Sequence, residues 1–145
     1  MRQIAHDEVY RLEECLKALA EHHNEVSVNF KGSFPKKPFS QTLAAFEKAL
    51  ADGNSKIAVI EDNGRVAGFC KTDLVGTQGS IDYLIVLKEY RGNGYGGQLM
   101  DWAVDTLRTG GAAGIEIKVV DGNDAKAFYE KYGFRTVSQI LRADI

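Results

Sequence analysis

The residues best suited to chemistry are the glycines of Arg91-Gly92-Asn93-Gly94-Tyr95-Gly96-Gly97, four within six positions and preceded by an arginine. Glycine admits positive φ and lets a ligand come close to the backbone. If a helix opens here, its first N–H groups lack internal partners and point outward. With the helix dipole they favour phosphate by about 0.3–1 kcal/mol per charge at an exposed terminus. Arg91 adds a permanent cation suited to the same ligand. A turn that binds nothing needs fewer glycines and no arginine, so the run reads as a phosphate or pyrophosphate cradle.

The ligand is harder to choose. Gly92, Gly94 and Gly97 also fit G-x-G-x-x-G, and Asp121 ends a later strand as a ribose-binding acid would. Context opposes a dinucleotide fold: antiparallel hairpins precede the motif, and the chain after Gly97 is too short for the rest of such a sheet. A P-loop requires a lysine after its glycines, and none follows.

Other groups carry two readings each. Tyr129, beside Phe128 on a short helical stretch, is either core or a phenol able to donate a proton. Asp82, where a strand begins, is a paired or solvated acid or a general base. Asn123 suits a helix cap. His22 and His23 end a helix, where imidazoles complement the dipole and can titrate near neutrality. Neither the histidines nor Cys15 and Cys70 have metal-ligand spacing, so no metal is expected. Both cysteines read as core thiols.

These groups need a scaffold. Residues 1–5 suit a short strand. Residues 7–23 place Val9, Leu12, Leu16, Leu19 and Ala20 at helical spacing, and Ser40 is a plausible cap for a second helix that Gly53 stops. From Lys56 the period shortens to that of strands. Ile57-Ala58-Val59-Ile60 is a buried run, Asn63-Gly64 signals a hairpin, and residues 65–74 return antiparallel. Residues 81–87 form the strand entering the glycine turn. Leu99, Met100, Ala103 and Leu107 stripe the helix that leaves it. A strand over 115–120, a helix over 123–132 and an extended segment over 134–145 complete the chain. The expected class is α/β (α+β), with both antiparallel and parallel strand pairs.

Composition bounds the rest. The 145 residues suit one domain, 1–145, with a formal charge of −2 that argues against a nucleic-acid surface. No run of about 18 apolar residues would span a membrane. The N-terminus turns acidic at Asp7-Glu8, where a secretory signal becomes apolar, so a cytoplasmic protein is expected.

Three segments together resemble the GNAT N-acetyltransferase superfamily. Arg91, Gly94 and Gly96 fill its Q/R-x-x-G-x-G/A signature. Leu84-Ile85-Val86 with Lys88-Glu89-Tyr90 resembles its bulged fourth strand and loop approach. Within residues 123–134, Ala125, Tyr129, Gly133 and Phe134 are spaced as in the A-x-x-x-Y-x-x-x-G-F part of its helix motif, with Asn123 close ahead of them in the place of its asparagine. The resemblance implies a mixed, mostly antiparallel sheet with a central, splayed parallel strand pair, here 81–87 and 115–120, flanked by helices. It implies acetyl-CoA as acetyl donor and an amine acceptor, with no metal.

By the same resemblance, amides of Arg91, Gly92, Asn93, Gly94, Tyr95, Gly96 and Gly97 hold the pyrophosphate. Backbone groups of Ile85 and Val86 pair with the pantetheine arm, and Asn123 bonds to it. Tyr129 protonates the leaving thiolate, and Asp82 takes the acceptor's proton directly or through water. His22 and His23 lie near the acceptor pocket. Relatives are often dimers, so a homodimer is also an expectation. Two alternatives stay open: a non-catalytic acyl-CoA sensor on the same fold, and a dinucleotide-binding oxidoreductase.

Overall fold

The computed structural model describes residues 1–145. Alternating apolar residues make β2 (Ser55–Asp62), β3 (Arg65–Val75) and β4 (Gln78–Val86) into an antiparallel meander. The β2–β3 turn uses two successive left-handed residues, Asn63 at φ 50° and Gly64 at φ 81°, which match the right-handed twist of the strands. The two-residue β1 (Arg2–Gln3) adds antiparallel to β2. After α3 (Tyr95–Thr109), β5 (Gly114–Ile117) returns parallel to β4, giving the order β1-β2-β3-β4-β5. This is the mixed, mostly antiparallel sheet with one parallel pair that the sequence implies.

The period of two sorts the core onto two faces. Ile57, Val59, Phe69 and Ile85 meet Leu12, Leu16 and Phe46, which belong to the N-terminal 3₁₀ segment His6–Leu12, to α1 (Glu13–Val26) and to α2 (Phe39–Ala51). Ala58, Ile60, Cys70 and Ile81 meet Leu99, Met100, Ala103 and Leu107 of α3 on the other face. Burying each large apolar side chain contributes about 1.5–3 kcal/mol. Phe46 packs edge-on against Tyr83 at 4.9 Å, which ties α2 to β4. No helix is long and apolar enough to cross a membrane.

One irregularity matters for the site. Lys71 of β3 faces Tyr83 and Thr72 faces Ile81, so Asp82 is an extra residue on β4. Such a bulge bends its strand and re-aims a side chain. The parallel β4–β5 ladder ends at the same place, with Ile81 opposite Ile117. Beyond it the two strands part.

Several elements differ from their sequence expectation. The first helical stretch divides into the 3₁₀ segment and α1, and α1 runs on to Val26. Pro38, not Ser40, occupies the cap of α2, because its fixed φ suits a helix entry. The strand expected over 115–120 stops at Ile117, since the bulge turns β4 away. The helix expected over 123–132 is regular only in α4 (Lys126–Glu130), flanked by turns.

Residues 134–145 form no strand. Arg135 Nη1 donates back to the carbonyls of Glu130 and Phe134, while Val137, Ile140 and Leu141 are exposed. Their apolar composition suits a strand, but no neighbouring edge pairs with them.

Candidate active site

The glycine turn sits between β4 and α3, as its composition requires. Gly92 at φ 86° and Gly94 at φ 77° take the left-handed conformation, and Gly94 is the cap of α3. The Arg91 N–H, expected in the same cradle, is taken up by the Lys88 carbonyl at 3.3 Å, whereas none of the N–H groups of residues 92–97 donates to a backbone carbonyl; Gln98 is the next that does, to Gly94. A side chain placed on Gly92 or Gly94 would meet no atom within 4 Å. The turn is thus an open cup of unpartnered donors at a positive helix end, and it fits a pyrophosphate.

Gly96 and Gly97 are placed differently. An added Cβ would lie 3.8 Å from the Phe128 ring and 3.4 Å from the Tyr132 hydroxyl, respectively. Both are ordinary contact distances, so the start of α3 lies against Phe128 of α4 and Tyr132 just after it without needing glycine at either position. Asn93 Nδ2 donates to the Tyr90 carbonyl at 2.9 Å and fixes the turn. Arg91 Nε donates to the Val86 carbonyl at 3.1 Å, so its exposed guanidinium folds towards the end of β4. Ile85 and Val86 pair with Phe69 and Gly68 on the β3 side, and lie beyond the last β4–β5 rung on the other.

Tyr129 packs on the α3 face, with Phe128 at 5.4 Å and Phe134 at 6.2 Å between ring centres. Its hydroxyl makes no protein hydrogen bond and is not sealed from solvent. Burial, with a smaller contribution from Cys70, pushes the phenol up to about 12. The group therefore keeps its proton at neutral pH. Asn123 Oδ1 accepts from the Ala125 N–H at 2.9 Å, which makes a turn ahead of α4; the cap position itself is Ala125, not Asn123 as its residue type suggests.

Asp82 enters a cluster on the opposite face. Lys71 Nζ, with its side chain 8% exposed, donates to both carboxylate oxygens of Asp73 at 2.7 and 2.6 Å and lies 4.0 Å from Asp82 Oδ2. Ser55 Oγ also donates to Asp73. Partial burial, then the hydrogen bond and charge of Asp73, push the Asp82 carboxyl up to about 6, against the pull of Lys71 and Lys118. Burial works against the charged form of Asp73 too, yet hydrogen bonds with Asp82, Lys71 and Ser55 hold it below its ordinary range. The Asp82 side chain is 44% exposed, so an acceptor or a water can reach it.

Other sequence candidates lie elsewhere. His22 and His23 have each other and Phe34 as ring neighbours, and burial, then His22, lowers the basicity of His23. Asp121, a ribose-binding acid under the dinucleotide reading, instead accepts from Ser27 Oγ at 3.1 Å and the Val28 N–H at 2.9 Å. It ties the segment after α1 to the segment after β5. Burial pushes the Cys15 and Cys70 thiols up to about 12, which leaves no thiolate for a covalent relay. No group of three His, Cys, Asp or Glu side chains converges to hold a metal. A groove of about 380 Å³ between α3 and residues 132–135 is lined by none of the candidates.

Sequence reasoning missed Lys71, Asp73 and Ser55. Lys71 and Asp73 alternate with Phe69 on one strand, so two charges follow a core residue on the same face. That pattern was the available signal.

Residues 16–134 match the model of the acetyltransferase (GNAT) family. Over 87 residues the chain is 37% identical to N-alpha-acetyltransferase 30 of Schizosaccharomyces pombe, covering 56% of this chain and 58% of that relative, less than two thirds of its length. An acetyltransferase of Yersinia pestis is 29% identical over 106 residues, covering 72% of this chain and 75% of the other. Among solved structures, the PaiA N-acetyltransferase of Thermoplasma acidophilum, in complex with coenzyme A, gives a TM-score of 0.78 over 96% of this chain and 91% of that one. At 15% identity that likeness concerns the fold.

Proposed function

The chain belongs to the acetyltransferase (GNAT) family, and on that premise we propose that its 145 residues act as one N-acetyltransferase domain. The domain moves the acetyl group of acetyl-CoA directly to an amine acceptor, a small molecule or a peptide. The observation that carries this reading is the opening of the sheet after Ile81 and Ile117. It lies beside the free N–H groups of the glycine turn, with Asp82 on the α1–α2 face and Tyr129 on the α3 face. Two ligands can meet there from opposite sides. The names of the Schizosaccharomyces and Thermoplasma proteins support nitrogen as the acceptor atom.

Acetyl-CoA, as donor substrate, supplies the thioester. The N–H groups of residues 92–97 bind its pyrophosphate, with Arg91 beside them, and Asn123 bonds to the arm. At Ile85 and Val86 the edge of β4 that lacks a β5 partner offers the Val86 N–H to the arm or to the oxygen where charge develops, often a large catalytic term. An alkylamine near pKa 10.4 is almost wholly protonated at pH 7, a deficit of roughly 4–5 kcal/mol. Asp82, poised near neutrality and open to solvent, takes that proton directly or through a water. The amine nitrogen bonds to the carbonyl carbon, the carbon–sulfur bond breaks as Tyr129 gives its proton to the departing sulfur, and the proton that the nitrogen then sheds restores the phenol through solvent.

Thiol release from acetyl-CoA across a panel of amines tests the proposal. Release that depends on one amine class is expected. Silence across the panel, with coenzyme A still bound, would point to the sensor instead.

A further inference from the structure

The Asp82 cluster holds more machinery than a lone base needs. Lys71 is a buried ammonium on a sheet face, and a buried charge persists only when paired and hydrogen-bonded. Its partner is Asp73, held through both oxygens, while Ser55 caps one of them. The Lys71 ammonium also lies 5.3 Å from the centre of the Phe46 ring, which covers it from α2. The unequal distances to the two carboxylates, 2.6 Å to Asp73 and 4.0 Å to Asp82, divide the pair.

We propose that Lys71 and Asp73 are positioning residues for proton transfer from the acceptor: the buried ammonium keeps Asp73 a permanent carboxylate, which leaves Asp82 as the member that takes and releases a proton. This rests on the reading of Asp82 as general base. The charge balance follows directly. Lys71 and Asp73 compensate each other, so the cluster is neutral with Asp82 protonated and carries one negative charge without the proton. When Asp82 accepts a proton from the acceptor ammonium, its new O–H points at the Asp73 carboxylate. The proton then leaves to solvent through the exposed side of Asp82. The bulge makes the arrangement possible, because it turns an extra β4 residue towards the alternating charges of β3.

The groups facing Asp82 act with opposite signs. Asp73 favours its protonated form, while Lys71 on β3 and Lys118 beyond β5 favour its charged form. Tyr83, its neighbour on β4, is itself pushed up by burial and then by Asp82 and Asp73. From α2 the cluster meets the uncharged Phe46.

The test is the acid limb of the pH–rate profile, recorded with acetyl-CoA and the best amine of the panel. Lys71→Met should move the limb to higher pH, and Asp73→Asn to lower pH, each by about one unit. The KM for acetyl-CoA should stay unchanged. Since either variant leaves a largely buried charge without its partner, a Lys71→Met/Asp73→Asn chain, which removes both charges at once, supplies a second measure. Its limb should fall between the two. Shifts in one direction for both single variants, or none in any of the three, would overturn the positioning role. A limb that persists unmoved in Asp82→Asn would instead overturn Asp82 as the base.

Discussion

Ile81 and Ile117 form the last rung between β4 and β5, and the next residue, Asp82, is the one that β4 carries in excess of β3. Bulge and opening are therefore one event. The strand bends where it gains a residue, and the bend both ends the parallel ladder and aims a carboxylate at Lys71 and Asp73. The bulge thus links the geometry of the sheet to the chemistry we assign to it.

Asp82 should also mark the stability of the fold. Its carboxyl is raised to about 6 from an ordinary 3.8, so folding favours the protonated form. That contribution is complete below about pH 3.8 and is lost as the pH rises through about 6. Asp82→Asn should therefore melt higher than the native chain near neutrality and above, and the advantage should vanish near pH 4. Thermal unfolding across this range checks the sign. A constant difference at every pH would contradict it.

Tyr129→Phe separates chemistry from packing. The hydroxyl has no protein partner, so its removal should change stability by no more than about 0.5 kcal/mol. Loss of a proton donor lowers turnover on the order of 10²-fold. Steady-state kinetics and calorimetric titration with coenzyme A should show a fall in kcat with affinity nearly intact. Unchanged turnover would remove Tyr129 from the mechanism.

The glycines of the turn should not respond alike. Gly94→Ala places a side chain at φ 77°, which costs about 1–2 kcal/mol and re-aims the N–H groups that follow, so acetyl-CoA binding should weaken. Gly96→Ala meets Phe128 at an ordinary 3.8 Å and should be tolerated in stability and binding. Melting temperature and acetyl-CoA titration of both variants test the contrast. Equal losses would mean that Gly96 also faces the ligand.

Gly122 ties the segment after β5 to the end of α1. It adopts φ 78°, and an added Cβ would fall 1.9 Å from the Val26 carbonyl oxygen. Gly122→Ala should cost about 1–3 kcal/mol from backbone strain alone, and more from separating the two segments. The midpoint of denaturant unfolding measures it.

Much of the scaffold was legible locally. Asn63-Gly64 set the hairpin, the period of two separated the strand faces, and the glycines after Arg91 marked a strand-to-helix turn. Backbone preference and side-chain period belong to consecutive residues, so sequence alone carries them. The site depended on more distant relations. Nothing local says that Asp82 would be the bulged residue, that Lys71 would clamp Asp73, or that Asp121 would hold Ser27 instead of a ligand. Residues 134–145 show the same limit from the other side: their composition suits a strand, yet no edge pairs with them. Register, pairing and the partners of buried charges arise between segments far apart in the chain, and packing alone decides them.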